Sequence, residues 1–340
     1  MTPNANPFFS ESELYLQYPA YDLIEDAHFA PAFERGMEIQ LEEIKAITSN
    51  TEPATFENTL VAMQRSGQML SRVSRVFSGM TSAHTNETLE SIRAEMAPKR
   101  AAHSDAIGLN PVLFERIKSV FDSRDSVAYD PESRRLIEET YKDFVRAGAN
   151  LSADEKSSLM AFNTELASLQ TSFSQNVLNE VNDKAIVVDS ADELAGLTEG
   201  QIAKAAEAAT ARDMEGKFVI PLLNSSGQPV LGSLQNRALR ERIYRTSISR
   251  GNSGGAYDNK ENISRIARIR ADRAKLLGFD NHAALGLSNQ TAQTTQAVNE
   301  LLATLAPPAV RNAKREAADL QRMIDSEGGN FDLAPWDWAF

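Results

Sequence analysis

Histidine is the residue type in this chain best suited to binding a transition metal, and the spacing of the four histidines argues against a shared site. They are His28, His84, His103 and His282, so no two lie within four residues of each other. A typical zinc helix places two histidines at i and i+4, on one face. Glu25 and His28 share a face, but two ligands without a third do not form a site. We therefore predict no metal site and no bound cofactor in this chain.

Residues 251–255 match the G-x-S-x-G pattern of serine hydrolases. The pattern positions a nucleophile only where a strand precedes the serine and a helix follows it. The residues before Gly251 are basic and have a helical pattern, and the loop also lacks the glycine spacings of phosphate-binding loops. We interpret the segment as a flexible turn between two helices and identify no catalytic residue in the chain.

A basic segment between positions 237 and 275 interrupts an otherwise acidic sequence. Two arginine-rich helices could face a polar channel or an acidic partner. The alternative is a solvated face with i,i+4 ion pairs such as Glu241 with Arg245, and we favour that alternative. The basic residues are Arg237, Arg240, Arg242, Arg245, Arg250, Lys260, Arg265, Arg268, Arg270, Arg273 and Lys275.

Composition limits the classes of partner. The 340 residues carry a net charge of −12 with a pI near 5.0, which argues against nucleic acid, because binding to phosphates depends on lysine and arginine. No apolar run approaches the roughly twenty residues that span a bilayer, so we expect no membrane partner. The chain has no cysteine, and its first residues do not resemble a signal peptide. We expect a cytoplasmic protein, or a periplasmic one if a signal peptide has been removed.

The clearest local signals predict two long helices between Asp130 and Asp183. Asp130 and Pro131 are an N-cap and first-turn pair, and Gly148 suits a left-handed C-cap. Ser152 and Glu155 form the capping box of the second helix. The apolar stripe of that helix, which requires a long apolar partner, comprises Leu159, Phe162, Leu166, Leu169, Phe173, Val177 and Val181.

The remaining pattern is also mainly helical. It predicts helices over 24–47, 55–76, 86–109, 111–122, 234–250, 259–277, 281–287 and 295–326, and an alanine-rich helix opened by Thr198 and Gln201. Short β-type runs occupy 185–188 and 217–223, where Pro221 requires an edge or a bend. We divide the chain into an irregular arm (1–20), a helical subdomain (21–183), a small α/β insert (184–232) and a second helical subdomain (233–340).

Several segments together resemble the thimet oligopeptidase and neurolysin family of zinc metallopeptidases. They are FVRAGANLS at 144–152, SLQTSFSQNVL at 168–178, NRALRERIY at 236–244, LLGF at 276–279 and PWDW at 335–338. Within this family, GKFVIPLL at 216–223 and PWDWAF at 335–340 are most similar to the bacterial peptidyl-dipeptidases. The resemblance runs along nearly the whole chain and covers the N-terminal half of the family's length.

The resemblance implies a mainly α, neurolysin-like multi-helix N-terminal domain with a small β element, without the C-terminal catalytic domain. The family's H-E-x-x-H zinc helix and downstream glutamate belong to that second half, and no residue here matches them. In the full-length enzyme, zinc polarises the scissile carbonyl and activates water. The resemblance therefore implies one wall of a channel for short peptides, inactive alone, whose partner is the missing half. We expect self-association through the apolar surface that this half would cover.

Two alternatives remain open. The chain could belong to an oligopeptidase of the same family, or it could be a non-catalytic helical peptide-binding or scaffold protein that is complete at Phe340. An H-E-x-x-H motif encoded downstream would favour the enzyme, and a natural stop codon would favour the binder. Peptide preference and the residues that touch the substrate are not indicated by the sequence.

Overall fold

The structure is a computed structural model that describes residues 6–223 and 227–340. Over these residues the protein is mainly helical and has one two-stranded sheet, as the sequence predicts. The chain forms two compact units. Unit 1 contains the residues up to Ser172 together with Ile266–Leu285, and unit 2 contains Phe173–Arg265 together with Gly286–Phe340. The four subdomain boundaries inferred from the sequence stay a prediction.

The helices of unit 1 begin after a series of short 3-10 turns between Pro7 and His28. They are α1 (Phe29–Thr48), α2 (Ala62–Arg65), α3 (Gln68–Ala83), α4 (Glu87–Gly108), α5 (Pro111–Asp122), α6 (Pro131–Ala147) and α7 (Ala153–Asp183), the last of which continues into unit 2. One core of unit 1 is aromatic. Phe77 lies edge-on to both Phe29 and Phe33, with ring centroids 5.1 and 5.2 Å apart, an arrangement that the ring quadrupoles favour.

Two helix boundaries in unit 1 differ from the prediction. The first helix starts at Phe29 rather than Ile24, because Glu25 and His28 cap a 3-10 turn there. The predicted helix over 55–76 is broken at Gly67, which has φ +73° and donates its N–H to Glu43 Oε2 at 2.7 Å. A left-handed residue cannot continue a right-handed helix. Leu41, assigned to the buried face of the first helix, is 40% exposed.

The caps predicted for the long helix pair are confirmed. Asp130 accepts hydrogen bonds from the N–H groups of Glu132 and Ser133, and Gly148 ends α6 with φ +105°. Ser152 donates its N–H to Glu155 Oε2 at 2.9 Å, which closes the capping box of α7. The apolar stripe of α7 is only partly covered. Leu159, Leu166 and Val181 are buried, whereas Phe162, Leu169, Phe173 and Val177 are half-buried.

Unit 2 contains the sheet. Its elements are β1 (Ile186–Val188), α8 (Glu199–Thr210), β2 (Phe218–Ile220), α9 (Arg237–Ile248) and α12 (Thr295–Ser326), while α10 (Lys260–Leu276) and α11 (His282–Leu287) have residues in both units. The two strands pair antiparallel, with Ile186 opposite Ile220. Pro221 follows directly after β2, where its missing N–H removes no ladder bond. An apolar core under the sheet includes Leu194, Leu234 and Ile243.

None of the helices in the described part of the chain is long and apolar enough to cross a membrane.

Candidate functional site

The four histidines occupy separate positions in unit 1. His28 accepts the Glu25 N–H through Nδ1 in the first 3-10 turn cap, and His84 is exposed at the end of α3. His103 is buried on α4, and His282 is exposed at the start of α11. Residues 6–223 and 227–340 contain no group of three or more His, Cys, Asp or Glu side chains that could hold a metal ion.

The loop of residues 251–255 lies between α9 and α10, so a helix and not a strand precedes it. Ser253 Oγ and the Gly251 N–H both donate hydrogen bonds to the carboxylate of Glu180, which is 2% exposed near the end of α7. Asn259 reinforces this attachment by donating from Nδ2 to the Phe173 carbonyl at 3.0 Å. The loop is consequently fastened to α7 within unit 2, and the strand–turn–helix context of a hydrolase serine is missing.

Part of the basic segment is buried, contrary to the solvated face that we favoured. Arg240 is 2% exposed, and its Nη2 lies 2.9 Å from Asp337 Oδ1. Arg237 Nη2 lies 2.8 Å from Asp337 Oδ2, and the Ala334 N–H also donates to that oxygen at 3.0 Å. The predicted surface pair of Glu241 and Arg245 is present, at 2.6 Å. Arg237 and Arg240, at i and i+3, lie on one face of α9, but this spacing does not indicate their distant partner.

Aromatic rings surround the arginines that bind Asp337. Arg237 Cζ lies 4.1 Å from the ring centroid of Phe331, and Arg240 Cζ lies 4.0 Å from that of Phe340. Arg245 Cζ lies 4.8 Å from the ring centroid of Trp336. Cation–π contacts of this kind add to the attraction between the guanidinium groups and the carboxylate. We call Asp337, Arg237, Arg240 and the three aromatic residues the Asp337 cluster.

The charge state of the Asp337 cluster follows from its contacts. Burial raises the pKa of Asp337, but the hydrogen bonds from Arg237 and Arg240 lower it by more, so its pKa lies below the ordinary value. The hydrogen bond between Arg237 and Asp337 also raises the pKa of Arg237. Asp337 is therefore an anion at neutral pH with both oxygens engaged. Such a carboxylate joins the chain segment after α12 to α9 and is not free to act as a general base.

A second buried carboxyl group, Asp105 on α4, lies in unit 1. Asn163 on α7 donates from Nδ2 to Asp105 Oδ1 at 2.7 Å, and Arg273 on α10 donates from Nε to Asn163 Oδ1 at 2.9 Å. Burial raises the pKa of Asp105, and the Asn163 hydrogen bond and the Arg273 charge partly oppose the rise. These two hydrogen bonds link α4, α7 and α10 within unit 1. No motif indicated it, because its members are far apart in the sequence.

The helix α12 has an unusual surface. None of its 32 residues is buried, although it carries Leu301, Leu302, Leu305 and Val310, which are each more than half exposed. Pro307 and Pro308 lie inside it, and a proline in a helix interior costs about 3 kcal/mol. An isolated helix with two internal prolines is only marginally stable in water, and exposed apolar stripes of this kind are typical of surfaces that another element covers.

Comparisons with known proteins identify a matching family model and several similar proteins. The model of peptidase family M3 matches residues 230–340. The chain is 39% identical over 337 residues to dipeptidyl carboxypeptidase of Salmonella typhimurium, covering 99% of this chain and 50% of that protein. It is 39% identical over 335 residues to dipeptidyl carboxypeptidase of Escherichia coli, covering 98% of this chain and 49% of that protein. The chain thus spans about half the length of the curated relatives it matches.

More distant relatives carry another name. Oligopeptidase A of Escherichia coli is 26% identical over 339 residues, which cover 98% of this chain and 49% of that protein. The similarity to both groups therefore runs over nearly the whole chain. The identity is higher for the dipeptidyl carboxypeptidases.

Proposed function

Because the chain is a homologue of the dipeptidyl carboxypeptidases of peptidase family M3, we propose that it forms the helical, substrate-channel half of a zinc metallopeptidase that removes C-terminal dipeptides from short peptides. The observation that carries this proposal is 39% identity over 99% of the chain. The family is a zinc metallopeptidase family. In the proposed arrangement a second polypeptide half contributes the zinc, and this half contributes walls that admit short, extended peptides.

The higher sequence identity to the dipeptidyl carboxypeptidases favours dipeptide release over general oligopeptide cleavage. Identity is 39% to the dipeptidyl carboxypeptidase of Escherichia coli and 26% to oligopeptidase A of the same organism, over nearly the same residues. The proposal assigns no catalytic residue to this chain, because no residue here matches the family's H-E-x-x-H zinc helix. The proposed roles of its own residues are to form the channel wall and to dock the other half.

The proposed division of labour is tested by assaying the purified 340-residue chain for zinc and for peptidase activity. We expect less than one zinc per chain after dialysis and no release of dipeptide from an N-blocked pentapeptide, because zinc-bound water supplies the nucleophile in such enzymes. Full-length dipeptidyl carboxypeptidase of Escherichia coli, assayed in parallel, controls for substrate and conditions. Stoichiometric zinc together with dipeptide release by this chain alone would overturn the proposal.

The exposed apolar stripe of α12, formed by Leu301, Leu302 and Leu305, is the proposed contact with the second half. Two observations support this: α12 buries none of its residues, and the chain spans about half the length of its relatives. Because the stripe is apolar, the same surface should bring two copies of this chain together when the second half is absent. Self-association is then a consequence of the proposed function.

Charging the α12 stripe should abolish this self-association. The double substitution Leu301→Glu with Leu305→Glu places two carboxylates on the stripe, because residues four apart share a helix face. Its matched control is Asn299→Glu with Ala303→Glu, which adds the same charge at two exposed positions, also four apart, on the opposite face. We expect the unsubstituted chain and the control to form concentration-dependent oligomers in sedimentation velocity and to bind a hydrophobic dye. The Leu301 and Leu305 variant should sediment as a monomer with weaker dye fluorescence.

The prediction of self-association would be contradicted by a chain that stays monomeric. An unsubstituted chain that is monomeric at every concentration and binds no dye would show that the α12 stripe is stable in water without a partner. Circular dichroism of both double variants verifies that the helix is retained, so that a change in association is not a consequence of unfolding.

A further inference from the structure

Two adjacent prolines, Pro307 and Pro308, lie inside α12, far from both of its ends. A proline has no N–H, so the carbonyl oxygens of Ala303 and Thr304 lack the donor that an α-helix supplies four residues later. A proline also disfavours the α conformation of the residue before it, which here is Ala306 for the first proline and Pro307 for the second. Two hydrogen bonds and two backbone preferences therefore fail at the same place, and this is the weakest point along the helix.

A proline inside α4 shows what holds such a helix in one direction. Pro98 lies in the middle of α4, and buried side chains lie both before and after it. Met96 is 1% exposed in the aromatic core, and Asp105 accepts the hydrogen bond from Asn163 of α7. Packing on both sides of Pro98 fixes the two parts of α4 relative to each other, so the missing hydrogen bond does not leave α4 free to change its bend. α12 has no such support, because none of its residues is buried.

The part of α12 after the prolines is anchored. Gln321 donates from Nε2 to the Phe331 oxygen at 3.1 Å, and its Oε1 accepts the Leu333 N–H at 2.7 Å. The segment that contains Phe331 and Leu333 is in turn joined to α9 through Asp337. We call residues 309–326 the anchored part of α12.

The part of α12 before the prolines is attached more weakly. We call residues 295–306 the leucine arm, because they carry the apolar stripe of α12. The N-terminus of the arm is capped by Thr294, whose hydroxyl oxygen accepts the Ala297 N–H at 3.1 Å. Within the described part of the chain, the side-chain hydrogen bonds of the arm lead only to other residues of the arm. A capped helical segment with no such bonds to the rest of the protein is free to change direction where the helix is weakest.

We propose that α12 is hinged at Pro307 and Pro308, so that the leucine arm stays helical but changes direction relative to the anchored part. The continuous helix of the structure is then one of a range of bend angles. The hinge depends on residues of this chain alone and stands whether or not the proposed peptidase function is correct. Under the proposed function, a second half that covers the apolar stripe supplies the packing that the core supplies to α4, and docking fixes the angle of the hinge.

Distances between pairs of spin labels test the hinge, because the chain has no cysteine and accepts labels at introduced cysteines alone. Asn299→Cys with Lys314→Cys places one label on each side of the two prolines of α12. Ser91→Cys with Ala106→Cys places labels at the same spacing around Pro98 of α4, and all four positions are exposed. Along a straight helix each pair is separated by about 22 Å.

Double electron–electron resonance should give a distance distribution for the α12 pair that is about twice as broad as that of the α4 pair, or more. Replacing both prolines, Pro307→Ala with Pro308→Ala, should narrow the α12 distribution to the width of the α4 pair, because it restores two N–H donors. Pro98→Ala is the matched control and should leave the α4 width unchanged. The chains carry Leu301→Glu with Leu305→Glu, so that no second copy covers the arm, and are diluted with unlabelled chain.

Hydrogen exchange separates a hinged arm from an unfolded one. The amides of residues 300–306 should exchange about tenfold or more slowly than in the urea-unfolded chain, because the arm stays helical. Exchange at the unfolded rate, an α12 distribution as narrow as that of α4, or an α12 width unchanged by the two alanines would each overturn the proposal. Circular dichroism establishes that the labelled variants fold. Failure of the proposed peptidase function would appear in the zinc and peptidase assays and would leave these distances unchanged.

Discussion

Replacing Asp337 with alanine is expected to lower the free energy of unfolding by about 3–5 kcal/mol, because the change leaves a buried guanidinium without its counter-charge. Arg240 is 2% exposed, and its carboxylate partner is Asp337, at 2.9 Å. In the variant Arg240 keeps its hydrogen bonds to the backbone oxygens of Leu234 and Gln235, but its charge has no carboxylate beside it. The effect should exceed that of any exposed ion pair in the chain.

Urea unfolding measures this loss conveniently, because both tryptophans, Trp336 and Trp338, flank the substituted residue. Their fluorescence reports on the Asp337 cluster, and circular dichroism reports on the helices of the whole chain. The matched control is Glu241→Ala, which removes the exposed partner of Arg245 on the same helix and should cost less than about 1 kcal/mol. A loss below about 1 kcal/mol for Asp337→Ala would show that the cluster opens to water at little cost.

Substituting Gly196 with alanine should be nearly as damaging, for a steric reason. A Cβ at this position would lie 2.0 Å from the backbone oxygen of Ser233, and the residue has φ +94°. The segments around Gly196 and Ser233 are also joined by a hydrogen bond from the Gln235 N–H to the Ala195 oxygen, at 2.9 Å. Moving the two segments apart to relieve the clash would therefore stretch this bond. Together the left-handed backbone and the forced displacement should cost about 3 kcal/mol or more.

Gly216 is the matched control for Gly196, because it also has a positive φ, +84°, and also belongs to unit 2. A Cβ there meets no atom within 4 Å. Gly216→Ala therefore carries the backbone strain alone, about 1–2 kcal/mol, and the difference between the two variants measures the steric contribution. Equal unfolding free energies for the two variants would contradict the close approach of Ser233.

The local elements of this protein are largely encoded in short stretches of sequence. The bounds of α5 and α12 match their predicted ranges, and the caps at Asp130, Gly148 and Ser152 are present as predicted. Caps and helix periodicity depend on residues within about four positions of each other, so a single sequence suffices to find them. The resemblance to the metallopeptidase family likewise rested on short segments, and the relatives confirm it.

The sequence patterns did not predict contacts between residues that are far apart in the chain. The basic segment gave no reason to expect that Arg240 is buried, because its partner Asp337 is 97 residues away. The hydrogen bond that Gly67 donates to the carboxylate of Glu43 likewise joins residues 24 positions apart. His103 Nε2 is hydrogen-bonded to Gln40 on another helix, and its buried Nδ1 has no hydrogen-bond partner among the described residues.

The sequence by itself determined which segments are helices, where most of them begin and end, and which enzyme family they resemble, because these properties follow from neighbouring residues. Only the tertiary structure decided which charges are buried, which glycines have no room for a side chain, and which apolar stripe, that of α12, is left uncovered. The physical reason is that burial and electrostatic partnership are properties of the space between elements. That space is created by packing segments that are far apart in the chain.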